Sequence, residues 1–282
     1  MADTPAVRAA PAAARLPGIP AMLAGQVGYQ LRLLSRTPRA LWLAIIAPAG
    51  VLALRLGGIG HHQGGHPGPG SPVFALVAGL AAFGLLNTAF MTHAAGLVAA
   101  RQDGVLRRWR LTPLPASGYF AGRMTATVLL ADAGGLVVVL IGVIMGGLQL
   151  STGIMAGVLA ALTAGAVAWA ALGTAVTALV PSTEATFPVI GLVYLPVILL
   201  SGAFGPFPGE PAWLARLVSY LPAQPLIDAV AVALRGAGTG PGPFPGRDLA
   251  VLGAWAAVGL LVSVRFFRWN PQRPSRARRG PA

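Results

Sequence analysis

An all-α, polytopic membrane protein with six spans is the fold class that this sequence predicts, on three observations. Of its 282 residues, 55% are hydrophobic and 10% are charged, and the mean hydropathy is +0.72. Apolar runs exceed the length that a soluble strand or core helix needs. The arginines cluster between those runs, as loops between spans would place them. We therefore expect one membrane domain over residues 1–282, with disordered tails at 1–15 and 270–282.

Each span is identified by its length. Crossing about 30 Å of hydrocarbon takes roughly 20 helical residues. Five segments reach or approach that length with Asp132 as their one charged residue: 73–100, 124–147, 153–180, 186–205 and the shorter 249–264. A sixth, 40–54, is short, but the flanking Arg39 and Arg55 can extend toward headgroups on either side.

The arginines predict the orientation of these six spans. Five lie in the N-terminal segment through Arg39, five in residues 101–123 and six in the tail from Arg265, against four on the other side. By the positive-inside rule, we expect both termini and residues 101–123 on the cytoplasmic side. The membrane itself is expected to be the cell membrane. Such arginines also attract anionic lipid headgroups, whereas a nucleic-acid partner is not expected because spans separate the clusters.

The segment before the first span is predicted to be an amphipathic helix. Leu23, Val27, Leu31 and Leu34 recur at spacings of four, four and three, with polar residues elsewhere around the helix. This pattern is typical of a helix that lies on the inner membrane surface. An N-terminal extension of the first span is the alternative.

The connection between the fifth and sixth spans is long and only partly polar. It contains apolar residues at helical spacing, with Pro222 and Pro225 in the middle. Proline interrupts helices, so we expect two short helices that enter the outer leaflet and return. An amphipathic loop lying on the surface is the alternative.

Residues 104–111 predict a short amphipathic helix in the loop after the second span. Val105, Leu106 and Trp109 share one face, while Arg107 lies on another. Gly104 precedes the helix, and the residue before Pro113 is pushed out of the α region, which ends it. The result is a compact knob with an apolar face and arginines for a partner's carboxylates. A loop whose arginines only fix topology is the alternative.

Two stretches resemble the ABC type 2 exporter permeases. "RQDGVLRRWRLTPLPASGYFAGR" is similar to the family's first cytoplasmic loop, which forms its coupling helix. The stretch from "PSTEATFPV" to "ALRG" resembles its fourth-to-fifth-span loop, fifth span and outer re-entrant segment. Two departures are visible: Gln102 and Asp103 stand where the family's loop carries a glutamate, and "LSGAFGPF" differs from the usual outer turn.

The resemblance implies a permease that pairs with itself or a related permease and binds separate ATPase subunits. It assigns the coupling segment to Arg101, Gly104, Leu106, Arg108, Pro113 and Leu114, and it matches Glu184 in the second stretch. With Asp103, Arg107 and Trp109 of the amphipathic knob, these residues are the expected ATPase contact. The resemblance assigns the outer re-entrant segment to Ser201, Gly202, Trp213, Pro222, Asp228 and Arg235. ATP and Mg²⁺ would belong to the partner, and this chain would bind no cofactor.

The absence of lysine agrees with that implication. All 20 basic residues are arginine, so a P-loop, whose lysine reaches the β- and γ-phosphates, cannot form. There is also no cysteine, which excludes thiolate chemistry and disulfides. We therefore expect a chain without catalytic residues of its own.

Polar residues inside the spans are candidates for a translocation path. Asp132 lies roughly 13 Å along a helix from Arg123, near the middle of the third span. It could contact a cationic or hydroxyl-rich substrate, or form a structural hydrogen bond to a neighbouring span. Asn87, Thr92 and His93 could line the same path, although helix-to-helix hydrogen bonding is the more common use of such residues.

The first outer loop contains His61, His62 and His66. Three imidazoles could hold a metal, but no acidic residue accompanies them and glycines surround them, so we predict no metal site.

Together these features predict the permease subunit of an ATP-driven exporter for an amphipathic small molecule such as a drug, antibiotic or lipid-like compound. A self-sufficient secondary transporter or channel is the main alternative, and an intramembrane enzyme is a third. The former would need coupling-ion carboxylates, of which only Asp132 lies in a span, and the latter lacks a convincing catalytic constellation.

Overall fold

The computed structural model describes residues 18–36, 38, 42–59, 71–109, 116–201, 211–236 and 245–266. Within these ranges every regular element is helical, which confirms the all-α prediction. The tails at 1–15 and 270–282 lie outside the described residues, as do the histidine loop (His61, His62, His66), Pro113, Leu114 and Gly202.

Eleven α-helices form the described part of the chain. They are α1 (Ile19–Ser35), α2 (Ala47–Ile59), α3 (Pro72–Leu86), α4 (His93–Gln102), α5 (Val105–Trp109), α6 (Ala116–Gly146), α7 (Thr152–Val176), α8 (Thr186–Leu200), α9 (Ala212–Val218), α10 (Ala223–Arg235) and α11 (Gly246–Phe266). One π-helical turn, Trp42–Ile46, leads into α2, and another, Asn87–Thr92, joins α3 to α4.

Four helical segments are long and apolar enough to cross a membrane. They are Pro72–Gln102, Ser117–Gly146, Thr152–Val176 and Gly246–Phe266, and counting α9 and α10 as one bent span gives five. The six-span prediction is therefore not confirmed. The expected fifth span, 186–205, is described as the 15-residue α8, and the expected first span, 40–54, is split between a π-turn and the 13-residue α2. Alone, α8 falls short of roughly 20 residues, whereas the π-turn and α2 follow one another directly over residues 42–59.

The Pro72–Gln102 segment is the centre of the bundle. In its most apolar stretch 83% of the residues are buried, against 22% for Gly246–Phe266. Since α3 is apolar on all sides, it can be surrounded by protein, and α2, α6, α7 and α10 all pack around it. Any change at either end of this segment therefore reaches most of the bundle.

The helix at the N-terminus contacts the protein through glutamines. Gln26 and Gln30 of α1 are buried against α6, where a Cβ added at Gly122 would lie 2.5 Å from Gln26 Cγ. Val27 and Leu31, from the predicted apolar stripe, are half-buried. The polar face of α1 thus packs on the bundle, and its apolar stripe lies beside that contact.

The two ends of the bundle differ in their arginines. We call the end with residues 101–109 and 177–185 the proximal end, and the end with residues 147–151 the distal end. Phe266 lies beside Leu179, so α11 ends proximally, whereas Leu56 lies beside Gly146, so α2 ends distally. Arg101, Arg108, Arg123 and Arg265 belong to proximal segments, and the side of the membrane on which this end lies stays a prediction.

The chain breaks between α9 and α10 with a bend of 82°. Pro222 is the N-cap residue of α10, and Pro225 lies inside its first turn, where a missing N–H breaks no helical bond. A Cβ at Gly165, near the middle of α7, would lie 2.5 Å from Leu226, and one at Gly157 would lie 3.2 Å from Ala233. Thus α10 begins at mid-height of α7 and runs back to the distal end. Its placement as a re-entrant segment in a membrane stays a prediction.

Candidate functional site

The central segment ends at the proximal end in a glycine turn. α4 ends at Gln102, Asp103 is its C-cap residue, and Gly104 has a φ of +71°. This left-handed conformation costs a residue with a side chain more than it costs glycine. The Gly104 carbonyl accepts a hydrogen bond of 3.1 Å from the amide of Arg108, which begins α5. The predicted short helix after Gly104 is confirmed as Val105–Trp109.

A buried arginine fixes this turn to the next proximal loop. Arg101 is 1% exposed and donates from Nη1 to the Thr177 carbonyl at 3.0 Å and from Nη2 to the Val180 carbonyl. Gln102 Nε2 donates to the Pro181 carbonyl at 3.1 Å. The last carbonyls of a helix lack partners inside it and favour a cation nearby. We call these contacts of Arg101 and Gln102 with residues 177–181 the loop clamp.

The loop clamp corrects the expected position of Arg101. The sequence suggested an arginine that a partner subunit could contact, but the structure places its side chain wholly inside the protomer. The physical reason is that the turn after α7 keeps carbonyls inside the protein, where a guanidinium beside them adds charge-assisted hydrogen bonds. Arg101 is thus a positioning residue, and Gln102 assists it.

Leu106 differs from expectation in the same way. Predicted on the outward apolar face of the knob, it is 0% exposed and packs with Leu97 of α4 and Tyr119 of α6. Burying such a side chain contributes about 1.5–3 kcal/mol. This contact pins α5 to the bundle, and Leu106 is unavailable to a partner.

Three exposed charged side chains lie on the two segments that the loop clamp joins. Asp103 and Arg108 belong to the glycine turn and α5, and Glu184 belongs to the connection between α7 and α8. The loop clamp joins these two segments, so the three charges are carried by one fixed unit, which we call the proximal face. The backbone of Arg107 and Trp109 lies in α5, but their side chains are outside the described structure, so their contacts stay predictions.

The candidate path residues each bind a different neighbour. His93 Nδ1 lies 2.9 Å from Thr127 Oγ1 of α6, and its Nε2 lies 3.0 Å from Thr174 Oγ1 of α7. Asn87 Nδ2 donates to Tyr194 Oη of α8 at 3.4 Å. These are helix-to-helix hydrogen bonds, the structural alternative that the sequence left open.

The remaining two candidates are Asp132 and Thr92. Asp132 of α6 is buried and accepts a 2.9 Å hydrogen bond from Thr163 Oγ1 of α7, while Thr92 is half-buried. Asn87, Thr92, His93 and Asp132 are therefore spread through the helix contacts. Their role in translocation stays a prediction.

Sequence reasoning missed a second buried arginine. Arg123, counted as a loop arginine, is 5% exposed and donates at 3.4 Å both to the His93 carbonyl and to Gln30 Oε1 of α1. A Cβ at Gly96 would contact its Nη2, so this glycine makes room for it. Arg123 therefore connects α1, α6 and the start of α4. The one feature of the sequence that pointed to its burial is Gly96, one turn after His93.

The π-turn Asn87–Thr92 was also not foreseen. Phe90 within it meets Trp169 edge to face, with ring centroids 5.3 Å apart, and stacks at 6.5 Å on Tyr194. A Cβ at Gly173 would lie 3.2 Å from the Phe90 carbonyl, so glycine there permits close approach of α7. Periodicity in the sequence does not reveal such a turn here, because α3 before it is apolar on all sides and has no stripe whose phase could be seen to shift.

The expected re-entrant residues have mixed surroundings. Ser201 is buried and donates to the Ile198 carbonyl at 2.8 Å, and Asp228 accepts from Gln224 Nε2 at 3.1 Å. Trp213 and Arg235 are exposed. None of these contacts crosses to another helix.

Contacts that the sequence did not suggest hold the break between α9 and α10 in place. Trp255 Nε1 of α11 donates to the Tyr220 carbonyl at 2.7 Å. Arg247 lies 5.2 Å from the centroid of the Tyr220 ring and donates to Ser219 Oγ at 3.3 Å. The start of α11 is thus the support for the chain between α9 and α10.

One protein-family model matches most of the chain. The family model described as ABC-2 type transporter matches residues 27–234, well over half of the chain, from α1 to the last turn of α10. A search of curated proteins finds no match for the chain. The matched range contains the glycine turn, the loop clamp and the bent α9–α10 pair. With its apolar spans, the chain is a multi-pass membrane permease subunit and belongs to the ABC-2 type transporter family.

Proposed function

We propose that this chain is the permease subunit of an ATP-driven exporter and that it is coupled through the proximal face to a separate ATPase subunit. Permeases of this family normally pair with ATPase subunits. ATP and Mg²⁺ would be bound by that partner, since a chain without lysine cannot form a P-loop. This chain would supply the moving helices and no catalytic group.

The loop clamp is the observation that carries the proposal. An isolated surface loop would bend under a partner's push and transmit little. Here Arg101 fixes the glycine turn to the end of α7, and Leu106 fixes α5 to α4 and α6. A displacement of the proximal face is therefore passed to the central segment and to α7 together, as a shift of packed elements.

The charges of the proximal face suit a protein partner. Arg108 can form a two-pronged hydrogen bond with a carboxylate, and Asp103 and Glu184 can accept from basic residues. A face of mixed charge discriminates among partners better than a single-sign patch, because wrong pairings bring like charges together. The family's loop carries a glutamate at position 102 or 103. In this chain the exposed carboxylate of Asp103 takes its role of accepting from a partner's basic residues.

We further propose that the proximal end is cytoplasmic, in the cell membrane, and that two permease chains form the working unit. The proximal arginines support that orientation through the positive-inside rule. An amphipathic small molecule is the cargo class that an apolar span set with a single embedded acid fits best.

The test is charge reversal on the proximal face. Arg108→Glu should leave the protein folded in mild detergent, lose the co-purifying P-loop ATPase and abolish ATP-dependent export from proteoliposomes. Arg55→Glu is the matched control, because Arg55 is also exposed but lies on α2, which ends at the distal end. It should retain both properties.

Two results would overturn the proposal. One is a purified chain without ATPase that still moves solute when no ATP is present, which would favour a secondary transporter or channel. The other is an equal effect of the Arg108 and Arg55 reversals, which would reduce the proximal arginines to topology signals.

A further inference from the structure

An apolar groove of about 510 Å³ lies between α7 and α11 at the proximal end. Leu172, Ala175 and Val176 of α7 form one wall, and Val262 and Phe266 of α11 contribute to the other. Its volume lies within the roughly 300–1,000 Å³ typical of small-ligand sites. None of the lining residues carries a charge, so the groove favours a hydrocarbon occupant.

A cation stands at the rim of this groove. The guanidinium of Arg265 lies 5.5 Å from the ring centroid of Phe266, which lines the groove, and the arginine is exposed. Arg265 is also the first of six arginines in the last 18 residues. The combination of an apolar groove and a cation at its mouth matches a molecule with an apolar chain and an anionic head.

We infer that the groove binds an anionic phospholipid, with one acyl chain between α7 and α11 and the phosphate at Arg265. Each buried methylene of the chain adds favourable transfer free energy, and a basic residue near the surface adds attraction for the head. Neutral lipids would share the first contribution but not the second. The binding itself does not depend on the proposed coupling to an ATPase.

The position of the groove gives the lipid a consequence. Ala178 and Leu179 also line it, and they lie between the two residues, Thr177 and Val180, whose carbonyls Arg101 holds. An acyl chain in the groove therefore packs against the turn that the loop clamp fixes. Occupancy stabilises that turn and with it the proximal end of α7.

The test compares two lipids of equal chain length on the full-length protein in detergent. Phosphatidylglycerol and phosphatidylcholine are titrated, and binding is followed by native mass spectrometry and by the shift in unfolding temperature. We expect phosphatidylglycerol to bind about fivefold more tightly, the factor expected for one basic residue. Arg265→Gln should remove that preference, and Ala175→Phe, which fills the groove, should weaken both lipids.

The control is Arg55→Gln, an exposed arginine on the distally ending α2, which should keep the preference. If Ala175→Phe does not fold, Ala178→Phe, which also fills the groove, takes its place. Equal affinity for both lipids in the unaltered protein overturns the inference. So does a preference that survives Arg265→Gln but is lost when the five arginines of residues 267–282 become glutamine, because the tail would then hold the head. If filling the groove changes the oligomeric state but does not change lipid binding, the inference also fails, because the groove would then be a contact with a second copy of the chain.

Discussion

Two breaks in the helical chain are held by different physical means. One lies at the proximal end, and the other lies at mid-height of α7, where α10 begins its run to the distal end; we call the second one the distal break. The proximal break at Asp103 and Gly104 is fixed by directional hydrogen bonds from Arg101 to carbonyls of the next loop. The distal break before Pro222 leads into α10, which is seated by shape: Leu226 fills the space at Gly165, and Ala233 meets Gly157. One break is polar and buried, and the other is mainly apolar.

This difference indicates which break can transmit a displacement of one helix to its neighbours. Hydrogen bonds have preferred directions and lose energy steeply when bent, so the glycine turn and the end of α7 are expected to move as a unit. Apolar contacts have no preferred direction and depend on area and fit. α10 is therefore held on α7 by how well Leu226 and Ala233 fit beside Gly165 and Gly157, with the hydrogen bond from Trp255 to the Tyr220 carbonyl just before it. Variants at each break would separate these two kinds of support.

Arg101→Leu should produce the largest loss. It removes both donors, which leaves the Val180 carbonyl without its hydrogen bond to Arg101 at about 1–3 kcal/mol, while the Thr177 carbonyl keeps the Val180 amide as a partner at 3.3 Å. Unfolding in detergent, followed by tryptophan fluorescence, measures the change, and Arg101→Lys should recover part of it. At permissive temperature the leucine variant should still bind the ATPase, since Asp103, Arg108 and Glu184 remain, but with ATP turnover no longer linked to export. Normal linkage would contradict the role of the loop clamp.

Gly165→Val should destabilise the distal contact. Even its Cβ would lie 2.5 Å from Leu226, which is fully buried, and overpacking of this kind costs about 1–3 kcal/mol. Gly191→Ala in α8 is the control, because nothing lies within 4 Å of its added carbon. Limited proteolysis between α9 and α10 reports whether the segment has left its seat. Equal stability of the two variants would show that shape does not hold α10.

Gly104→Ala should have a smaller effect that comes from the backbone alone. Its φ is +71° and nothing lies within 4 Å of an added Cβ, so the expected cost is the left-handed conformation, about 1 kcal/mol. Gly253→Ala, also without neighbours but inside α11, should be neutral or slightly stabilising. The pair is compared by unfolding temperature, and a cost at Gly253 as large as at Gly104 would rule out this explanation.

Asp132→Asn should be nearly silent. The amide oxygen can still accept from Thr163, so both stability and export of a neutral cargo should change little. Thr163→Val should cost more, because it leaves the acid without that donor. Export assays with cationic and neutral cargo distinguish the two interpretations. Selective loss of cationic cargo in the asparagine variant would show that Asp132 contacts substrate.

Some of the candidate site could be predicted because it depends on local chemistry. Gly104 before an amphipathic stretch predicts a turn and a short helix, and both are present. The prolines of the distal connection predict a break, which occurs at Pro222. Arg101, Leu106 and Arg123 could not be placed in this way, because a helical wheel shows which residues share a face but not what that face meets.

Hydropathy and charge act on each segment independently. The amino-acid sequence alone therefore predicts an apolar helical bundle with its arginines divided between two ends. It also set the two breaks, since glycine and proline act on their own backbone. Only the tertiary structure decided which arginines are buried. Arg101 and Arg123 serve carbonyls on segments distant in sequence, and that need arises only when helices pack and leave polar groups without water.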